Sequence, residues 1–319
     1  MRKVLLLLVV ITVSLLTISC ENDVTPTEQY KERYIFYSIL NSDADKQFAT
    51  VVKSSGTMAS GSEYIKGAEI ALYWDNSAAF FRDSVFTYFG TEILDTAKST
   101  YYIRNFKFPL NKKMEIEVLL PNGKRLFSET TTPDTAAFPK DFNPIIPDEE
   151  SSLITFTWVP AEKNYYVVPR LTFVYYRKIN GVFTLQGELE VPIKYYEKNT
   201  IFTPIYPIPQ KQTAITYEKG ALTRKLASIS RGEPNSNDFA VGIFAKFSLQ
   251  IYDRNLSSYF SSTNQQVGGY QVSLEQSEFT NIKGGFGLFG SYVTQVKKLI
   301  LNEDYLKQFG YSILFNEVD

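Results

Sequence analysis

Few side chains in this sequence can do covalent or acid–base chemistry, and their spacing narrows the options. The chain has no histidine. That excludes Ser-His-Asp and Cys-His catalysis and histidine-ligated metals within it. Cys20 is the single cysteine, so no intramolecular disulfide can form. Glu188 and Glu190 stand roughly 7 Å apart if they share a strand face. Paired carboxylates at such spacings can hydrolyse glycosides, but clean polar alternation on a solvated face accounts for them without catalysis. Gly285-Phe286-Gly287-Leu288-Phe289-Gly290 formally matches the dinucleotide motif G-x-G-x-x-G. That motif works when a helix follows it and points its N-terminus at the pyrophosphate. Ser291-Tyr292-Val293-Thr294 is β-prone instead, so the glycines are expected to let aromatic residues pack in a bent strand.

Other oxygen-rich stretches read as turns. Asn41-Ser42-Asp43-Ala44-Asp45 could touch Ca²⁺, but the glycine and terminal glutamate of an EF-hand loop are missing. Asp148-Glu149-Glu150 reads as the solvated end of a linker. Tyr166, Arg170 and Tyr176 fall on the side of their strand opposite the main apolar set, and form the one candidate ligand face. A strand buried on both faces is the favoured explanation of them. No catalytic, cofactor-binding or metal-binding residue is assigned, and the expectation is a protein that is not an enzyme and carries no cofactor.

The remaining chemistry is at the N-terminus. Met1-Arg2-Lys3 is basic, and Val4 to Leu16 is apolar apart from Thr12 and Ser14. Thr17-Ile18-Ser19 then precede Cys20. This is a charged region, a short apolar region and a small residue before a cleavage point, the pattern of a secretory signal. A small residue followed by cysteine resembles the lipobox of bacterial lipoproteins, in which the thiol and the new amine are acylated. Thr17 departs from the leucine that pattern prefers three residues before the cysteine. A membrane span needs about 20 apolar residues, and Glu21, Asn22 and Asp23 end this run too early. Several acyl chains, at about 0.8 kcal/mol per buried methylene, would anchor the chain firmly.

Composition sets the rest. Without Arg2 and Lys3, 31 basic residues face 34 acidic ones, which argues against nucleic-acid binding. Tyrosine and phenylalanine are abundant, which favours β-structure.

The expected organisation is a mainly β chain. Residues 1–19 are a lipoprotein signal peptide, and 20–32 a lipidated flexible tether. Residues 33–132 read as an immunoglobulin-like or transthyretin-like β-sandwich. Ala68, Ile70, Leu72 and Trp74 alternate with polar neighbours there, as do Met114, Ile116, Val118 and Leu120. Leu120-Pro121-Asn122-Gly123-Lys124 is a hairpin turn. Residues 133–150 form a proline-rich linker. Residues 151–319 form a larger antiparallel β-rich domain with a few short helices. In it, Asn180-Gly181 signals a hairpin, with Phe183, Leu185 and Leu189 expected to point inward together. Thr203 to Pro209 reads as a loop or edge segment. Asp253 and Asn302 are expected helix caps.

Several segments together resemble a large uncharacterised lipoprotein family of Bacteroidota-type bacteria. They are the lipobox, Gly67-Ala68-Glu69-Ile70-Ala71-Leu72, and Leu120-Pro121-Asn122-Gly123-Lys124 before Thr131-Thr132-Pro133. Leu256–Phe260 and the run from Asn281 to Gly290 complete the likeness. The resemblance implies an outer-membrane lipoprotein, often encoded beside TonB-dependent receptors, and the acidic start after Cys20 weakly resembles the export tags of surface lipoproteins. The lipobox, the β-sandwich and the missing histidine together suggest a binding or accessory protein that binds a ligand, a polysaccharide or protein, or docks on an uptake receptor. A structural or adhesive envelope protein is the alternative, and a carboxylate-based hydrolase a third. The family supplies no catalytic residues.

Overall fold

The computed structural model describes residues 33–54, 63–86, 98–140, 142, 145–148, 150–162, 165–230, 236–262 and 279–315. The expected signal peptide, Cys20 and the tether lie outside these residues. The chain is mainly β, as its aromatic content and alternation predict.

The N-terminal part contributes β1 (Tyr34–Asn41), β2 (Lys46–Lys53), β3 (Glu63–Tyr64), β4 (Glu69–Trp74), β5 (Ser77–Phe80) and β6 (Arg82–Phe86). It continues with β7 (Lys98–Arg104), β8 (Lys113–Leu119) and β9 (Arg125–Thr131). After the proline-rich segment come β10 (Ile145–Ile146), β11 (Leu153–Thr157), β12 (Val167–Ile179), β13 (Val182–Glu190), β14 (Lys194–Lys198), β15 (Ile201–Ile205) and β16 (Ala214–Glu218). Helix α1 (Lys219–Ala227), β17 (Phe239–Tyr252), helix α2 (Arg254–Ser262), β18 (Phe286–Leu301), helix α3 (Glu303–Lys307) and β19 (Ser312–Leu314) complete the chain.

The central sheet runs β13-β12-β17-β18-β1-β2-β7-β6, with β3, β10 and β19 added along it. A second sheet, β5-β4-β8-β9, packs over its β1-β2-β7 end. Phe36, Leu40, Val51 and Tyr101 from the first sheet meet Ile70, Leu72, Met114 and Ile116 from the second. This is the sandwich read from the alternating strands. The larger core lies at the other end of the central sheet. There Leu171, Phe173, Phe247 and Leu249 pack against Phe156, Trp158, Tyr217 and Leu226.

One sheet serves both cores. The last long strand, β18, pairs in parallel with the first, β1, from Ile35↔Phe286 to Asn41↔Tyr292. Ile282, Phe289 and Val293 therefore join the N-terminal core. The proline-rich segment does not separate two sheets, because β10 within it also pairs with β18. A parallel pair needs no local turn signal, so nothing in the strand patterns announced it.

One strand differs from its expected reading. In β13 the pairing steps from Tyr175↔Gly187 to Tyr176↔Leu185, so Gln186 is an extra residue. A bulge of this kind reverses the face of everything beyond it. Leu189 packs on the large core, Phe183 joins Val174 and Tyr176 on the opposite face, and Leu185 is exposed. Of the segment read as loop or edge, Thr203 to Ile205 belong to the edge strand β15, which pairs with β14 through a turn at Asn199-Thr200.

Candidate functional site

The candidate face begins with β12. Its odd-numbered residues enter the large core, which leaves Tyr166, Arg170 and Tyr176 on the other side. The structure brings Tyr166 and Arg170 into one neighbourhood and puts Tyr176 elsewhere. Tyr176 is buried with Val174, Ala240 and Phe183 beside the bulge, ten residues along the strand from Tyr166.

Around Tyr166 lies an aromatic cluster that the sequence reading missed. Tyr252 stacks on Phe260 at 5.2 Å and meets Tyr292 edge-on at 6.0 Å. Tyr37 and Ile39 pack into the same cluster from β1, and Leu256 and Tyr259 from α2. The Tyr166 ring is covered by the Lys211 ammonium at 5.1 Å and tilts against Phe260. Burial raises the Tyr292 pKa, Asp43 adds to the rise, and the Arg170 guanidinium opposes it. Burial also raises Tyr37, helped by Tyr259. These rings come from five separate elements, and only the register of β1, β17 and β18 brings them together.

Beyond the cluster the same face becomes polar. Cross-strand rows run Val168–Gln250–Thr294, Arg170–Ser248–Val296 and Thr172–Lys246–Lys298. Most of these side chains are half-buried or exposed. Thr172 donates to a Glu188 carboxylate oxygen at 2.6 Å. The face thus has half-buried tyrosines at one end and hydrogen-bonding side chains of both charges along it. That arrangement suits an extended polar ligand better than an acid–base reaction.

A buried carboxylate holds the aromatic end in place. Asp253 closes β17 and caps α2, accepting from the Leu256 N–H at 2.8 Å. Its other oxygen accepts from Thr130 at 2.6 Å and Ser291 at 2.8 Å. One side chain thereby links β9, β18 and α2. Asn255 adds a bond to the Glu129 carbonyl at 2.8 Å. Burial raises the Asp253 pKa to about 6, and the donors of Thr130, Leu256 and Ser291 oppose that rise. The capping role is legible from the residue type at this position, but its partners are not.

The glycine run lies inside β18, with no helix start after it. A Cβ at Gly290 would stand 3.3 Å from an Asp253 oxygen. Asn281 pins the start of the strand, since its amide both donates to and accepts from the Phe289 backbone, at 2.6 and 2.9 Å. The run is therefore packing chemistry, as its β-prone continuation suggests.

The turn after β1 is also tied internally. Asn41 accepts from the Asp43 N–H at 2.9 Å, and the Gln47 amide donates to the carbonyls of Asn41 and Ala44. Among the described residues no three metal-ligating side chains come together.

A family model described as a domain of unknown function (DUF4249) matches residues 21–298. No curated protein matches the chain. The matched region takes in the N-terminal core, most of the larger one and the parallel pair between them, so the chain belongs to the DUF4249 family.

Proposed function

We propose that this protein is a lipid-anchored binding or accessory module of a bacterial outer membrane, presenting the tyrosine-edged face of its central sheet to a polysaccharide or protein ligand. The observation that carries the reading is the conjunction of Cys20 at the end of a short signal with a body that carries a half-buried polar–aromatic face. The absence of histidine from the sequence and the engagement of Glu188 by the Thr172 hydroxyl favour binding over hydrolysis. The resemblance to envelope lipoproteins adds an uptake receptor as partner, at the periplasmic side or the cell surface.

The anchor is tested by mass spectrometry of the mature N-terminus. An acylated cysteine is expected, and Cys20→Ala should move the protein from the membrane to the soluble fraction. An unmodified sulfur, or a variant still in the membrane, would overturn the anchor. The binding role is tested by crosslinked pull-down from intact cells, with recovery of an uptake receptor expected. Arg170→Ala should lower the yield of that partner by roughly tenfold, as hot-spot arginines do.

A further inference from the structure

The β14–β15 hairpin stands apart from every other sheet as a two-stranded unit. Such a unit is marginal by itself, and here one of its faces is held. Tyr195 and Phe202 share that face, and the Arg224 guanidinium of α1 lies 5.4 and 3.5 Å from their ring centres. The hairpin's only acid, Glu197, pairs with Phe202 on the same face. The opposite face carries Lys194, Tyr196 and Lys198 against Ile205, Thr203 and Ile201. Among the described residues nothing covers it: Tyr196 is 58% exposed and Ile201 67%. Among the described residues neither lysine has an ion-pair partner.

We propose that this outer face docks on an anionic lipid bilayer. Its composition is that of an interfacial surface, with a tyrosine and two isoleucines flanked by cations. The lysines supply attraction to anionic headgroups and the apolar side chains supply burial. A second copy of the chain fits less well. Face-to-face pairing of two such hairpins would bring four lysines together with no acid between them. The inference rests on the anchored reading above, since the acyl tether would hold the hairpin near the bilayer. The two are tested separately, because the N-terminal mass reports the anchor and the following assay uses no lipid modification.

The chain from Glu21 onward, carrying no lipid, is sedimented with vesicles of phosphatidylglycerol and phosphatidylethanolamine, and with vesicles of phosphatidylcholine alone. Binding to the anionic vesicles is expected, and weaker binding to the neutral ones. Ile201→Asp should weaken it roughly tenfold, and Lys194→Glu or Lys198→Glu roughly fivefold each, with a steep loss in high salt. All three positions are exposed, and an unchanged melting midpoint confirms that each variant is folded. Equal binding by the parent chain and the Ile201→Asp variant would overturn the proposal. So would no binding to anionic vesicles, or a dimer of the parent chain that Ile201→Asp dissolves.

Discussion

Gly287→Ala is expected to cost about 4 kcal/mol or more, and Gly287→Val to prevent folding. Gly287 has φ +114 and sits opposite Phe36 in the parallel pair. A Cβ built there would overlap the Phe36 carbonyl. That atom is backbone in a buried strand, so it cannot rotate away as a side-chain tip would. Relief requires β1 and β18 to separate, and that separation opens the contact shared by both cores. Gly220→Ala is the control. Gly220 is exposed in α1 with nothing near its absent Cβ, so alanine there should gain about half a kcal/mol. Urea unfolding of both variants separates the two effects, and a Gly287→Ala midpoint equal to the parent's would refute the packing argument.

Asp253→Ala should cost about 3 kcal/mol at pH 4 and much less at pH 7. The variant leaves the Leu256 N–H and two buried hydroxyls without their acceptor. The pH dependence follows from linkage. The folded-state pKa is raised to about 6 from the ordinary 3.8. Below pH 4 the group is protonated in both states, and its contribution to stability is fully present. Between pH 4 and 6 the unfolded chain has released the proton while the folded chain retains it. Stability then falls as pH rises, and the loss is complete above about pH 6. Two units correspond to about 3 kcal/mol. Asp253→Asn, neutral at every pH, should lose this slope while keeping most of the hydrogen bonds. Chemical denaturation of the three proteins across pH 4–7 reads the difference directly, and parallel pH profiles for parent and Asp253→Asn would refute it.

Local chemistry made part of this architecture legible. The turn at Asn180-Gly181 takes positive φ at both residues, as its dipeptide demands. Asn302 caps α3 through the Tyr305 N–H, and Gly310 follows with φ +71. The alternation of Met114, Ile116 and Val118 placed them correctly in the sandwich core. What stayed hidden depends on distant partners. Pro204 leaves loop and edge strand open, and the two-stranded hairpin, whose free edges tolerate proline, takes the edge form. Gln186 carries no mark of a bulge in its own residue type, so Leu185 was assigned to the wrong face. The aromatic cluster around Tyr166 needed the registers of β1, β17 and β18, which no single strand encodes. Asp253 was readable as a cap because capping is local. Its bonds to Thr130 and Ser291 span 123 and 38 residues, and no spacing rule reaches that far.

The parallel pairing of the first and last long strands also dictates an order of events. A chain that emerges N-terminus first, from a ribosome or a translocation pore, presents β1 about 250 residues before the strand that completes it. Until then β1 has β2 as its only sheet neighbour, and a bare row of amides and carbonyls on its other side. Assembly must therefore wait for the C-terminal quarter of the polypeptide, and the entropic penalty of closing so long a loop falls on the final step. During that interval the open edge is the place where a holding chaperone would act and where misassembly would begin.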